Sequence, residues 1–143
     1  MHDFDAPLVF VGYGITAPEE GGWDDYKGLD VKGKILVMLV NDPAPTAAQP
    51  NRFNGKGLTY YGRWTYKFEE MAKRGALGTL IVHETAPASY GWNTVKNSNT
   101  NVMYDIVRKN PLSAHAPVEA WIQRDTAADL FKRAGLDLSL IHI

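Results

Sequence analysis

Six consecutive apolar residues, Ile35 to Val40, constrain the fold of this chain more than any other feature. A strand that is apolar on both faces must be covered on both faces, which is typical of a parallel sheet flanked by helices. A second strand-like run, Gly78–His83, follows a segment with helical periodicity. Two parallel strands joined by a helix form a right-handed crossover. The sequence therefore predicts an α/β fold with a central, largely parallel sheet.

Two main helices are predicted, over about residues 63–74 and 125–134. In the first helix the apolar positions recur every three or four residues, and the polar positions between them are predicted to face solvent. The apolar set is Tyr61, Trp64, Phe68, Met71 and Ala72, and the polar set is Arg63, Lys67, Glu70 and Arg74. In the second helix Asp125 is predicted as the N-cap and Gly135 as the residue that ends it.

The remaining segments are predicted as two further strands and three mostly irregular stretches. The strands are residues 8–11 and 118–122, and the irregular stretches are residues 18–33, 43–58 and 85–117. A loop as long as residues 43–58 inside a compact domain is often functional or inserted. The sequence assigns no role to its Pro- and Ala-rich part, residues 43–52.

Composition and charge exclude several functional classes. The chain has 143 residues, which suits a single domain. Its net charge is −1 and its Lys and Arg residues are scattered, so it lacks the basic footprint of a nucleic-acid-binding protein. Its apolar runs fall well short of the ~20 residues that a membrane span requires. It contains no cysteine, which excludes disulfides and thiolate metal sites.

Short motifs that suggest chemistry are each better explained as structure. Gly12–Ala17 has the spacing of a dinucleotide-binding turn, but Pro18 and paired glycines follow it and leave no room for a helix. His83-Glu84 begins like a zinc-binding H-E-x-x-H, but Pro87 stands where the second histidine belongs. Asp24-Asp25 is predicted as a solvated turn, and His83 as the end of a strand. The sequence therefore predicts no catalytic residue, cofactor site or metal site in this chain.

Four aromatic residues are candidates for contact with a substrate or a partner. Tyr60 and Tyr61 precede the first helix, and Tyr90 and Trp92 follow the strand-like run that ends at His83. In a parallel crossover both loops can lie near one end of the sheet, so the four rings are predicted to form an aromatic rim. Rims of this kind bind peptides or sugars.

Several strings in the chain resemble the protease-associated (PA) domain. The general pattern is Leu29–Val37, then a helix ending at Arg74–Ala76, then the strand Leu80–Val82. Three longer strings resemble, more narrowly, the PA domain of a bacterial branch of zinc aminopeptidases related to glutamate carboxypeptidase and the transferrin receptor. These strings are Val9–Pro18, Phe53–Gly55 with Thr59–Lys67, and His83–Trp92. The resemblance covers about residues 7–137.

The resemblance implies a β/β/α swivelling fold, with a second, smaller sheet beside the central one and two flanking helices. A PA domain carries no catalytic residues. In these peptidases it adjoins a catalytic domain that holds zinc, covers the catalytic cleft and helps to shape substrate access. The partners implied are therefore that catalytic domain and a peptide substrate, with zinc held only in the missing domain. The parent metallopeptidase is expected outside the cytoplasm, periplasmic or secreted, although residues 1–5 lack the features of a signal peptide.

The predicted PA domain spans residues 1–137 of a larger peptidase. Leu138–Ile143 resembles the translation of a sequencing adapter and is predicted to be a non-native tail. Two other functions stay open. The aromatic loops also fit a free-standing module that binds carbohydrate or peptide, and a third hypothesis is an enzyme complete within this chain.

Overall fold

A computed structural model describes residues 3–110 and 114–140. The strands are β1 (Leu8–Phe10), β2 (Thr16–Ala17), β3 (Trp23–Asp24), β4 (Ile35–Leu39), β5 (Gly78–His83) and β6 (Val118–Gln123). The helices are α1 (Trp64–Lys73), α2 (Thr85–Ala88), α3 (Trp92–Thr100) and α4 (Arg124–Arg133). Short 3-10 turns occupy Arg52–Asn54, Tyr60–Gly62 and Leu138–Leu140.

The central sheet has the strand order β1-β4-β5-β6, and all of its pairings are parallel. In the register, Val37 of β4 lies opposite Phe10 of β1 and Leu80 of β5. A second sheet consists of β2 and β3, which pair in antiparallel fashion. The predicted α/β fold, with a parallel central sheet and a smaller second sheet, is confirmed.

The apolar run of β4 supplies two separate layers of the core. Leu36 and Met38 pack in a cluster with Met71 of α1. Val37 and Leu39 pack in another cluster with Phe131 of α4. Successive side chains of a strand point to opposite faces of the sheet. Because helices cover both faces, a polar residue at any position from Leu36 to Val40 would be buried.

The two main helices begin and end within one residue of their predicted bounds. The predicted N-cap of the second helix is wrong: the cap residue is Gln123, and its side chain makes no capping hydrogen bond. The strand β6 runs directly into α4, so the helix starts one residue earlier than the prediction. Asp125 instead lies in the first turn, where a carboxylate still interacts favourably with the helix dipole.

The predicted orientation of α1 is wrong at Lys67 and at Trp64. Lys67 is only 1% exposed, and Tyr66 beside it is buried as well. Tyr66 packs in a third apolar cluster with Ile15 and Phe53. Trp64, predicted to pack in the core, is 40% exposed. A helix with a single apolar stripe is expected to pack against one neighbouring layer. The helix α1 instead packs against two, the central sheet and this third cluster.

Three elements lie in segments that are predicted as irregular. The strand β3 lies within residues 18–33, and the helices α2 and α3 lie within residues 85–117. A two-residue strand is too short to show alternation in its sequence. Most residues of α3 are Asn, Ser or Thr, which have low helix propensity, so its sequence carries little helical signal.

Residues 43–58, named here the anchored loop, are fixed at their base and near their middle. At the base, Asp42 Oδ2 accepts hydrogen bonds from the backbone N–H and the hydroxyl of Thr59, at 2.9 and 2.6 Å. Near the middle, the side chain of Phe53 is fully buried, and its N–H donates to Glu20 Oε2 at 3.0 Å. Phe53 adopts a left-handed conformation with φ 46°. The loop predicted as a surface excursion therefore buries two of its side chains, Pro43 and Phe53.

Candidate functional site

Tyr60 and Tyr61 lie in the 3-10 turn that leads into α1. Tyr60 is 55% exposed, and Tyr61 is half-buried. Their rings contact the buried ring of Tyr66 edge-on, with centroid distances of 5.5 and 5.0 Å. The Tyr60 hydroxyl donates to Glu69 at 3.1 Å, and the Tyr61 hydroxyl donates to Glu19. The bond to Glu19 raises the pKa of Tyr61 to about 12, so this hydroxyl stays protonated at neutral pH.

Tyr90 and Trp92 lie beside His83, the last residue of β5. His83 is 4% exposed, and its Nε2 lies 3.0 Å from the backbone oxygen of Tyr90. A carbonyl oxygen only accepts hydrogen bonds, so Nε2 is the ring nitrogen that donates in this contact. The indole of Trp92 contacts the imidazole at a centroid distance of 5.8 Å. His83 ends the strand, as predicted, and also holds Tyr90 in the short segment before α3, whose first residue is Trp92.

Both aromatic pairs are attached to the carboxyl ends of neighbouring strands. Asp42, just after β4, binds Thr59, the residue before Tyr60. His83, at the end of β5, binds Tyr90. The predicted placement of the two loops near one sheet end is therefore found. Among the described residues, however, the ring contacts join Tyr60 to Tyr61 and tie the other pair to His83, so the four rings form two pairs rather than one continuous rim.

A groove of about 330 Å³ opens at the carboxyl ends of β5 and β6. Its lining includes Trp92 together with the polar side chains of Glu84, Gln123, Arg124 and Asp125. Glu84 and Arg124 form an ion pair at 3.4 Å. Ligands of open α/β sheets bind outside the carboxyl ends of the strands. The groove thus offers one indole ring and hydrogen-bonding groups of both charge signs.

The groove was not predicted from the sequence, because its residues come from the ends of two different strands and each of them looks ordinary in its local sequence. His83 and Gln123 lie opposite each other at the ends of β5 and β6. Glu84 and Arg124 come directly after them, and so a carboxylate and a guanidinium meet at one edge. The available signal was the pair of polar residues that immediately follows two adjacent parallel strands.

A buried charged cluster lies between α1 and the turn after β1. The Nζ of Lys67 donates to the backbone oxygen of Tyr13. Asp25 Oδ2 accepts from the backbone N–H groups of Tyr13 and Ile15, each at 3.1 Å. Gly12 has φ 55°, and a Cβ there would lie 2.8 Å from Asp25 Oδ1. The turn is therefore held by two charged side chains and requires glycine at this position.

The turn explanation of Gly12–Ala17 is confirmed by this geometry, whereas the solvated turn predicted at Asp24-Asp25 is wrong for Asp25. The carboxylate of Asp25 is partly buried and serves as an internal hydrogen-bond acceptor. This role of Asp25 left no signal in the sequence, because the N–H groups that donate to its carboxylate lie 10 and 12 residues away.

Burial dominates the electrostatics of this cluster. It lowers the pKa of Lys67 to about 7, although the charges of Asp25 and Asp42 act in the opposite direction. Burial also raises the pKa of Asp25, against the hydrogen bonds that its carboxylate accepts and the charge of Lys67. A lysine with such a pKa can act as a base at neutral pH. Because Lys67 is almost completely enclosed, its contacts support a role in holding the Tyr13 turn.

The string His83-Glu84 does not present its side chains as a metal-ligand pair. Nε2 of His83 is bound to Tyr90, and Glu84 is paired with Arg124. Within residues 3–110 and 114–140, the structure contains no group of three or more His, Asp or Glu side chains that could hold a metal ion. The prediction of zinc in a neighbouring catalytic domain is not addressed by these residues.

No family model, curated protein or solved structure matches this chain. The resemblance to PA domains of zinc aminopeptidases therefore stays a prediction.

In the part of the chain that the structure describes, none of the helices combines the length and apolar character needed to cross a bilayer. Of the predicted non-native tail, Leu138 packs against the α4 side of the sheet, and residues 141–143 lie outside the described residues.

Proposed function

We propose that this chain is a non-catalytic PA domain of a secreted zinc-dependent aminopeptidase, where it forms one wall of the cleft of a neighbouring catalytic domain. The observation that carries the proposal is the attachment of both aromatic loops to the carboxyl ends of adjacent strands, through Asp42 and His83. The strings that resemble PA domains, and the combination of a parallel sheet with a small antiparallel one, support it further.

A wall of this kind acts by excluding water from the cleft and by restricting which peptides fit. Tyr60 and Trp92 present partly exposed ring surface. A hydrogen bond to Glu69 fixes the position of Tyr60, and the ring contact with His83 fixes that of Trp92. Rings that are fixed beforehand lose little conformational entropy when a ligand binds. The proposed contact is therefore between these rings and the apolar side chains of a peptide.

The test is Trp92→Ala in the full-length protein that carries this chain, with kcat/KM measured for several peptides that differ in one apolar side chain. We expect a loss of about fivefold or more for the peptides with large side chains, which corresponds to ~1 kcal/mol for a truncated contact residue. Tyr104→Ala is the matched control, because Tyr104 is an exposed aromatic residue outside both pairs. Unchanged kcat/KM across all peptides would remove Trp92 from this role.

A second candidate function, a free-standing module that binds peptide or carbohydrate, is favoured by the groove beside Trp92. An indole ring surrounded by hydrogen-bonding groups suits either ligand. Titration of this chain with tri-alanine and with a linear glucose oligosaccharide, followed through the backbone amide resonances of Glu84 and Arg124 in the groove, separates the two proposals. Saturable binding of either ligand that Trp92→Ala abolishes would favour the module over the wall of a peptidase cleft.

A further inference from the structure

The segment between α3 and β6 exposes a run of apolar side chains. Residues 102–107, named here the apolar segment, have little contact with the rest of the described chain. The exposed fractions are 79% for Val102, 70% for Met103, 92% for Tyr104, 69% for Ile106 and 102% for Val107. The single polar residue in this run is Asp105, and it connects the segment to the sheet.

The connection runs through one imidazole. His115 Nε2 lies 2.9 Å from Asp105 Oδ2, and His115 Nδ1 lies 3.2 Å from Glu119 Oε1 on the edge strand β6. Asp105 also accepts from Arg108 at 2.5 Å and from the backbone N–H of Ile106 at 2.7 Å. Glu119 accepts in addition from a backbone N–H, that of Ala116, at 3.2 Å. Both ring nitrogens of His115 therefore face carboxylates.

This geometry depends on the protonation of the ring. A neutral imidazole has one N–H donor and one acceptor nitrogen, whereas an imidazolium has two donors. Carboxylates at these distances accept hydrogen bonds, so only the imidazolium satisfies both contacts. In the neutral ring, one nitrogen lone pair would face a carboxylate oxygen, and that contact would become repulsive.

We propose that His115 is a pH-sensitive clasp: as an imidazolium it joins Asp105 of the apolar segment to Glu119 of β6, and on losing its proton it gives up one of these contacts. The hydrogen bonds to Asp105 and Glu119 raise the pKa of His115, which agrees with this geometry. The clasp is closed at acidic pH and opens as the pH rises through that raised pKa. It rests on contacts within this chain and is independent of the proposed function.

The clasp changes how an apolar surface is presented to other molecules. When it is closed, the apolar segment is held beside β6 in one position. When it is open, the restraint at Asp105 is weakened and the segment samples more positions. The structure therefore couples the protonation of one surface histidine to the order of the neighbouring apolar segment.

The experiment is an NMR pH titration of this chain, with the ring resonances of His115 assigned by their loss in His115→Gln. We expect the His115 midpoint to lie above the midpoint of the same histidine in the urea-unfolded chain. Asp105→Asn and Glu119→Gln should each lower the folded midpoint. Asp129→Asn, which removes an exposed carboxylate paired with Arg133, should leave it unchanged.

A second readout is the heteronuclear NOE of residues 102–107, which should fall as the pH rises through the midpoint and should lose this pH dependence in His115→Gln. Core methyl resonances, such as those of Ile81, show whether each variant keeps its fold. A His115 midpoint at or below its unfolded value would overturn the proposal. So would a midpoint that neither carboxylate variant moves, or an apolar segment whose NOE values are the same on both sides of it.

Discussion

The anchored loop and the apolar segment differ in burial, and the difference is the opposite of what their compositions suggest. The anchored loop is rich in Pro, Ala, Asn and Gly, yet Phe53 buries its side chain completely and Asp42 closes its base. The apolar segment carries five large apolar side chains, yet all of them are exposed. Two buried side chains, Pro43 and Phe53, and the carboxylate of Asp42 therefore fix this loop, although its overall composition is the less hydrophobic of the two.

The largest expected effect comes from the ring of the anchored loop. Phe53→Ala removes a fully buried aromatic side chain from the third apolar cluster. We expect the free energy of unfolding to fall by about 3–5 kcal/mol, as measured by urea denaturation. Val107→Ala in the apolar segment is the control, and we expect it to stay within about 0.5 kcal/mol. If the two substitutions lowered the free energy of unfolding by similar amounts, the anchored loop and the apolar segment would not differ in how they pack against the domain.

The base of the anchored loop should give the next largest effect. Asp42→Ala leaves the N–H and the hydroxyl of Thr59 without their acceptor. Unsatisfied, partly buried donors cost about 1–3 kcal/mol, and the loop should be cleaved faster in limited proteolysis. Asp129→Ala, which breaks an exposed ion pair on α4, is the control. A proteolysis rate that Asp42→Ala leaves unchanged would show that the hydrogen bonds of Asp42 do not hold the loop.

The buried Lys67 of α1, which the anchored loop precedes, and the His115 clasp of the apolar segment should give stability contributions whose pH dependences have opposite signs. The pKa of Lys67 is about 7 in the folded chain against an ordinary value of 10.5. Between these values the unfolded chain binds more protons, so the stability due to Lys67 rises with pH. The His115 clasp has a raised pKa, so its stabilisation is complete below the unfolded pKa and is lost as pH rises through the folded one.

Lys67→Met tests the first of these signs. It removes the ionisable group, so the rise in unfolding free energy between about pH 7 and pH 9 should flatten in urea denaturation experiments. Lys73→Met, on an exposed position of the same helix, should keep the rise. A slope that is the same in both variants would show that the ammonium of Lys67 is not desolvated in the folded chain.

The smallest expected effect on stability lies in the apolar segment. Val107→Asn replaces a fully exposed apolar side chain, so the free energy of unfolding should change by less than about 0.5 kcal/mol. Self-association should decrease instead, because exposed apolar patches promote it. Sedimentation velocity at several concentrations measures this change. A large loss of stability would mean that the segment packs against the domain in solution.

The sequence predicted the parts of the fold that depend on one repeating pattern. The run Ile35–Val40 predicted a strand covered on both faces, and the periodicity of residues 63–74 predicted α1 to within one residue. The burial of Lys67 and Phe53 could not be predicted this way. Both depend on contacts with residues far away in sequence, Tyr13 and Glu20 among them.

The candidate site was predicted less completely, for a related reason. The placement of Tyr60 and Trp92 near one sheet end follows from the parallel crossover. The groove depends on the register that sets His83 opposite Gln123, and periodicity does not reveal register. The His115 contacts join residues 105 and 119, whose proximity depends on the path of the chain between α3 and β6.

The hydroxyl groups of Tyr60 and Tyr61 have a consequence for any molecule that reaches them. Each O–H proton already points to a glutamate, so neither phenol has a hydrogen left to offer an incoming carbonyl group. Their oxygen lone pairs and ring faces stay available. If a ligand does bind these two residues, it would have to supply the N–H or O–H donor itself, and a ligand with acceptors only would gain no hydrogen bond from either phenol.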